Sequence, residues 1–221
     1  MGSQETNAAI DPEIEKAITK EIGDASSWTP ESLASVTYLH VYHAIELDGL
    51  RLCPNIKILA LTGCDPVSID TLDHLANLAS LTIEHCNITS ISGVEPFPLN
   101  ALRLRFGFIE DVSALLALDD LLNVDVTGNP LTEDSYFNVL PHLRERGVSV
   151  TCSAEAEWRL TRRLRMAGLP FVYYEGFGGN RLARPGLTAT DRPEADHPLV
   201  NPEQLESLLG ENPARVADLF R

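Results

Sequence analysis

Leu39-His40-Val41, Leu59-Ala60-Leu61, Leu81-Thr82-Ile83, Leu102-Arg103-Leu104 and Val124-Asp125-Val126 are one unit written five times, an apolar pair with one residue between. Their first positions lie 20, 22, 21 and 22 residues apart, and five residues after each start stand Ala44, Cys64, Cys86, Gly107 and Asn129. Repeats of this kind place Asn or Cys at that position, so period and marker agree, with Ala44 and Gly107 as departures. Alternation at a period of two is the mark of a strand with one buried face, so each unit predicts a short strand with its apolar pair turned inward. A single unit cannot bury that face, whereas stacked neighbours can. Between the units, Ile69, Leu72, Leu75 and Leu78, and again Val112, Leu115, Leu118 and Leu121, recur three apart. That spacing suits a return segment of 3₁₀ or short α turns.

The flanks differ from the repeats. Asp11-Pro12 predicts a helix start, an acceptor side chain at the N-cap followed by proline in the first turn. Glu133 to Glu145 carries Phe137, Leu140 and Leu143 at helical spacing, then Gly147 and a strand-like Val148–Cys152, which together predict a closing helix and a last strand. Beyond Cys152 no repeat is present. Ala154 to Met166 predicts a helix with Trp158, Leu160 and Leu164 among Arg159, Arg162, Arg163 and Arg165, ended by Gly168 and Pro170. Phe171–Tyr174 predicts a strand, Gly176–Asn180 a turn, and Arg184–Pro198 a polar linker. Asn201-Pro202 and Asn212-Pro213 predict the starts of short helices at Glu203–Leu209 and Ala214–Phe220.

Over residues 10–152 the chain resembles the leucine-rich repeat family, and within it the internalin-like class with repeats near 22 residues. The resemblance rests on the five units, on Asn129-Pro130-Leu131, and on a cap made of Asp11–Ile18, Ile22-Gly23 and Trp28–Val36. It implies an α/β leucine-rich repeat solenoid, with short parallel strands on a concave face, 3₁₀ or short helical turns on the convex face, a helical N-terminal cap and a helical C-terminal extension. It also implies a protein-binding role and names no ligand. The corresponding division is 1–35 as cap, 36–152 as repeats and 153–221 as extension.

Composition narrows the partners. The chain has a formal charge of −15, of which residues 1–152 carry −14, a field that repels nucleic acid and anionic membranes and favours a protein with a basic or mixed surface. No apolar run approaches the roughly 20 residues of a membrane helix. Met1–Glu5 lacks the features of a secretory signal, and four cysteines embedded in apolar pattern do not make a disulfide framework, so a reducing cytoplasm is the expected location. Cys64 and Cys86, at the same place in adjacent units, are expected to be packed thiols.

The side chains flanking each buried pair should line the concave face: His40 and Tyr42, Ala60 and Thr62, Thr82 and Glu84, Arg103 and Arg105, Asp125 and Thr127, with His43, His85 and Phe106 at the strand ends. Tyr42, Glu84, Arg103, Arg105 and Phe106 form the expected partner-binding patch, since aromatic residues and arginine dominate binding hot spots. Arg103 and Arg105 are either neutralised by Glu84 and Asp125 or offered to a partner's carboxylates, and an exposed Phe106 favours the second. His40, His43 and His85 with Glu84 make a poor metal site, and Gly176–Asn180 lacks both phosphate-loop and dinucleotide spacing. The arginines of 159–165 are expected to dock internally on the acidic repeats rather than to bind phosphate. No nucleophile–base pair has a context that singles it out, so no cofactor and no enzymatic activity are expected. The alternatives are an immunity-type protein that neutralises a toxin, a ligand-binding or catalytic unit in residues 153–221, marked by a pocket around Phe171–Arg184, and a secreted adhesin.

Overall fold

The computed structural model describes residues 10–65, 67–186 and 196–220; Met1–Glu5 and residues 187–195 of the expected linker lie outside them. Six strands, β1 (Tyr38–Tyr42), β2 (Ile58–Thr62), β3 (Ser80–Glu84), β4 (Ala101–Arg105), β5 (Asn123–Asp125) and β6 (Ser149–Thr151), form one parallel sheet in sequence order. The register places Leu39, Leu59, Leu81, Leu102 and Val124 directly opposite one another. All five are buried, as are Val41, Leu61, Ile83 and Leu104 two residues on, so the alternation read from the sequence is the alternation of the sheet. Return segments at Asp48–Leu52, Ile69–Leu72 and Ser113–Ala117 are 3₁₀ turns, and their apolar residues at spacing three close the other side of the core.

The position after each strand unit turns the chain sharply. Asn129 donates from Nδ2 to the carbonyls of Leu104 (2.6 Å) and Val126 (3.0 Å) and accepts from the Ile109 amide at Oδ1 (3.1 Å), satisfying buried backbone across two units. A β-carbon at Gly107 would sit 3.1 Å from that same Oδ1, which explains a residue without a side chain there. Cys64 and Cys86 are free buried thiols, with the Cys64 amide donating to Cys86 Sγ at 3.3 Å.

At the amino end, α1 (Pro12–Ile22) buries Ile14, Ala17 and Ile18. Asp11 caps it through Oδ1 to the Glu13 amide (2.8 Å). Its Oδ2 accepts from the amides of Ile45 (2.8 Å) and Glu46 (3.1 Å), tying the helix to the loop after β1. A short α2 (Pro30–Ala34) follows, started by a reciprocal Thr29–Ser32 capping box.

The closing helix departs from the expected one. The span Glu133–Glu145 is helical, but Ser135–Val139 within it is a π turn, followed by Leu140–Glu145 (α3). The wider turn rotates the helical face, leaving Phe137 47% exposed while Leu140 and Leu143 stay buried. Next come α4 (Glu155–Met166), an antiparallel hairpin of β7 (Val172–Gly176) and β8 (Gly179–Ala183), and α5 (Pro202–Glu211), capped by Asn201 Oδ1 accepting from the Gln204 amide at 2.7 Å. The last element, Pro213–Phe220, is a 3₁₀ helix at the place of the short helix expected over Ala214–Phe220.

Helix α4 has two faces. Trp158 belongs to the main core and donates Nε1–H to the Leu131 carbonyl at 2.8 Å, whereas Leu160 and Leu164 join Phe171, Tyr173, Leu182 and Leu205 in a second, smaller core. Among the described residues no helix is long and apolar enough to cross a membrane.

Candidate functional site

The outward face of the sheet is built of three rows, because every second residue of each strand points away from the core. The register gives Tyr38–Ile58–Ser80–Ala101–Asn123–Ser149, then His40–Ala60–Thr82–Arg103–Asp125–Thr151, then Tyr42–Thr62–Glu84–Arg105. Over β3–β6 the side chains are small or polar and the face is hollow, a depression of about 330 Å³ between Ser80, Thr82, Arg103, Asp125 and Thr151. At the β1–β2 end it is more apolar: Tyr38 is 42%, Tyr42 38% and Ile58 46% exposed. Tyr42 is held in place, its ring stacked on His40 at 4.0 Å and its hydroxyl 3.1 Å from His40 Nδ1, while His40 Nε2 meets Thr62 Oγ1 at 3.0 Å.

Of the five residues expected in the patch, Glu84, Arg103 and Arg105 come together and Tyr42 stands two strands away. Arg105 lies between two carboxylates, Nη1 at 3.5 Å from Glu84 and Nε at 3.5 Å from Asp125, and Arg103 Nε is 4.0 Å from Glu84. Neutralisation within the chain is therefore what the structure shows for Arg105. These partly exposed pairs hold side chains in place more than they stabilise the fold, since such pairs contribute about 0–1 kcal/mol.

Phe106 requires a correction. It is 5% exposed, not offered to solvent, because it occupies the turn after β4 and is covered by the C-terminal hairpin. The five turns have φ of 55° at His43, 64° at Gly63, 52° at His85, 55° at Phe106 and 74° at Gly128. Glycine adopts this left-handed conformation freely and a phenylalanine does not, so Phe106 is held there by its neighbours. Its ring stacks on His85 (4.5 Å) and meets Tyr174 (4.7 Å), with the Arg105 guanidinium above it at 4.7 Å. A β-carbon at Gly128 would lie 2.5 Å from Phe106 Cδ1, so the ring and the glycine are a matched pair. Phe108, Val172, Tyr174 and Ala183 complete this cluster, and the Gly186 amide donates to the His85 carbonyl at 2.7 Å.

This seam borders the cleft that residues 153–221 were expected to hold if they carried a ligand site: about 320 Å³ between Glu84, His85, Arg105 and Tyr174–Phe177. Its one strongly shifted group is His85, whose pKa is brought down to about 4 by burial and then by the nearby His197 and Arg105 charges. His85 thus packs as a neutral ring. A pKa below the unfolded value near 6.5 means that the unfolded chain binds the extra proton first. Stability from this site is present in full above pH 6.5 and is lost as the pH falls towards 4, on the order of 3 kcal/mol in all. Urea unfolding followed from pH 7 to 4 should show this loss, and His85→Asn, which tolerates the left-handed turn and does not titrate, should flatten it. An equal slope in both proteins would place the proton uptake elsewhere.

The arginines of α4 each meet a carboxylate of the chain, but only Arg162 with Glu133 (3.1 Å) and Arg165 with Glu110 (2.8 Å) reach the acidic repeats as expected; Arg159 pairs with Glu155 on its own helix and Arg163 with Glu206 on α5 (3.5 Å). Among the described residues no group of three His, Cys, Asp or Glu side chains is placed to hold a metal ion. Tyr38 and Ile58 were missed in the sequence although alternation marks them, one step before Leu39 and Leu59.

In comparison with known proteins, no family model and no curated protein matches the chain. Among solved structures, it is similar to an internalin C2 from Listeria monocytogenes, with a TM-score of 0.47 and 14% identity over 68% of this chain and 79% of that one.

Proposed function

We propose that the chain is a leucine-rich repeat solenoid that binds a protein partner on the outward face of its sheet and catalyses no reaction of its own. The observation that carries this reading is the joint exposure of Tyr38, Tyr42 and Ile58 on adjacent strands, beside a polar hollow fringed by Arg103, Glu84 and Asp125. Large rigid aromatics next to oriented charges make up a binding hot spot, and the apolar side chains lose water only when a partner covers them. The hollow admits a protruding loop, and the ion-pair network sets its orientation more than its affinity. The partner has a basic or mixed surface, in keeping with the charge of −15. Phe106 leaves the patch, and Tyr38 and Ile58 enter it.

The test is affinity capture from the native host with the wild type and a Tyr38→Ala/Tyr42→Ala/Ile58→Ser variant in parallel, followed by titration of the captured partner. The variant should bind at least about tenfold more weakly, equivalent to roughly 1.4 kcal/mol, with an unchanged melting temperature. Equal affinity would move the site off this face.

A further inference from the structure

The C-terminal extension meets the repeats in two places that are built differently. At α4 the contact is the packed Trp158 indole, with the Arg162–Glu133 and Arg165–Glu110 ion pairs around it. At the strand-end turns it is the small apolar cluster around Phe106 and Tyr174, with the rings of His85 and His197 set into its border. Among the described residues one backbone hydrogen bond crosses this second contact, from the Gly186 amide to the His85 carbonyl. A contact with so few polar ties belongs to the part of a structure that opens before the rest unfolds.

The charges at this seam are of one sign where they lie closest to His85. Its ring is 5.6 Å from the His197 ring and 4.5 Å from Phe106, over which the Arg105 guanidinium lies at 4.7 Å. The hairpin contributes Arg181, buried, with Nη1 donating to the His197 carbonyl at 2.6 Å, and Tyr174, whose hydroxyl is 2.6 Å from His197 Nδ1. Carboxylates border the seam without pairing to His85. Glu84 is engaged by Arg105, Glu175 is exposed, and Asp65 and Asp196 stand beside Gly186 and His197. His85 Nδ1 is buried and has no hydrogen-bond partner among the described residues. A neutral ring tolerates that, because the nitrogen is then only an unused acceptor. In a protonated ring both nitrogens donate, so a buried, charged N–H would lack an acceptor and face a second imidazole and a guanidinium.

We propose that this seam is an acid-opened latch, in which a proton on His85 releases Gly186, His197 and the β7–β8 hairpin from the turns after β3 and β4. Trp158 keeps α4 on the main core, and Tyr173 and Leu182 keep the other face of the hairpin in the second core, so the extension stays folded. Opening uncovers Phe106, Phe108 and Tyr174. With a pKa of about 4 when closed and an ordinary value near 6.5 once released, His85 makes opening about twentyfold more favourable at pH 5 than at pH 7.

Hydrogen exchange of the full chain, followed by NMR and taken relative to an unstructured peptide of the same sequence, reads the opening at the Gly186 amide. Its protection should fall about twentyfold from pH 7 to pH 5. The amides of β2 and β3 should remain at least about tenfold more protected than Gly186 at both values, and the Trp158 indole N–H should keep its resonance. His85→Asn should lose most of the acid response, while His43→Asn, at the same turn of the first repeat, should keep it. An unchanged Gly186 protection, an equal fall in His85→Asn, or protection at Gly186 equal to that of β2 and β3 would overturn the proposal, the last by making the opening global unfolding. So would a titration midpoint of the wild-type His85 ring at or above pH 6, a reading that needs no variant.

Discussion

Replacing Trp158 with alanine should lower the free energy of unfolding by about 3–5 kcal/mol, the upper range for truncating a buried side chain. Three losses combine. The indole stacks on Tyr136 with ring centres 4.2 Å apart and 14° between planes, and Phe137 meets it edge-on at 5.3 Å. Its removal opens a void against Tyr136 and the closing helix, and the 2.8 Å hydrogen bond to the Leu131 carbonyl disappears with it. The carbonyl is then left in an apolar surround, a cost of about 1–3 kcal/mol that forms part of the total. Phe137→Ala, at a half-exposed position, should cost about 1 kcal/mol or less. Reversible urea unfolding of the three proteins checks this. A Trp158→Ala loss no larger than that of Phe137→Ala would mean that Trp158 does not anchor α4 to the main core.

Why α4 was legible and the seam at Phe106 was not is a matter of range. Strands, returns and caps are written locally: alternation fixes which of Leu81 and Thr82 faces inward, and Asp11-Pro12 or Asn201-Pro202 starts a helix by satisfying its own first amides. Trp158 was also within reach, since an array of stacked units exposes an apolar end that the next segment must cover. The burial of Phe106 comes from Val172 and Tyr174, more than sixty residues later, and nothing near Phe106 announces them. The left-handed turn was half visible, as glycine at 63 and 128, but His43, His85 and Phe106 occupy the same conformation with residues that do not signal it. Phe137 shares the helical spacing of Leu140 and Leu143 yet is half-exposed where they are buried, since a π turn costs one step of helical phase, which spacing alone does not reveal.

The same division bears on the candidate surfaces. The identities of the outward residues followed from period two, but their states did not: Arg105 reaches Glu84 and Asp125 on the strands to either side, and such pairing depends on register.

The sharpest check on the register is a pair of adjacent substitutions in β3. Leu81 lies between Leu59 and Leu102 in the middle of the ladder and is fully buried, so Leu81→Ala removes contacts on both sides where no neighbour can collapse into the gap. It should cost about 2–5 kcal/mol. Thr82, one residue on, points outward into the polar hollow, and Thr82→Ala should change stability by about 0.5 kcal/mol or less. The contrast follows from the pleat, since a slip of one residue would exchange the two faces and with them the two results. Because each strand pairs only with its neighbours in sequence order, a defect at β3 also separates the α1 side of the sheet from the α4 side. A shallower urea dependence in Leu81→Ala than in the wild type would register that uncoupling, as two halves unfolding in turn. A loss below roughly 0.5 kcal/mol at Leu81, or one as large at Thr82, would show that the buried face has been assigned to the wrong set of residues.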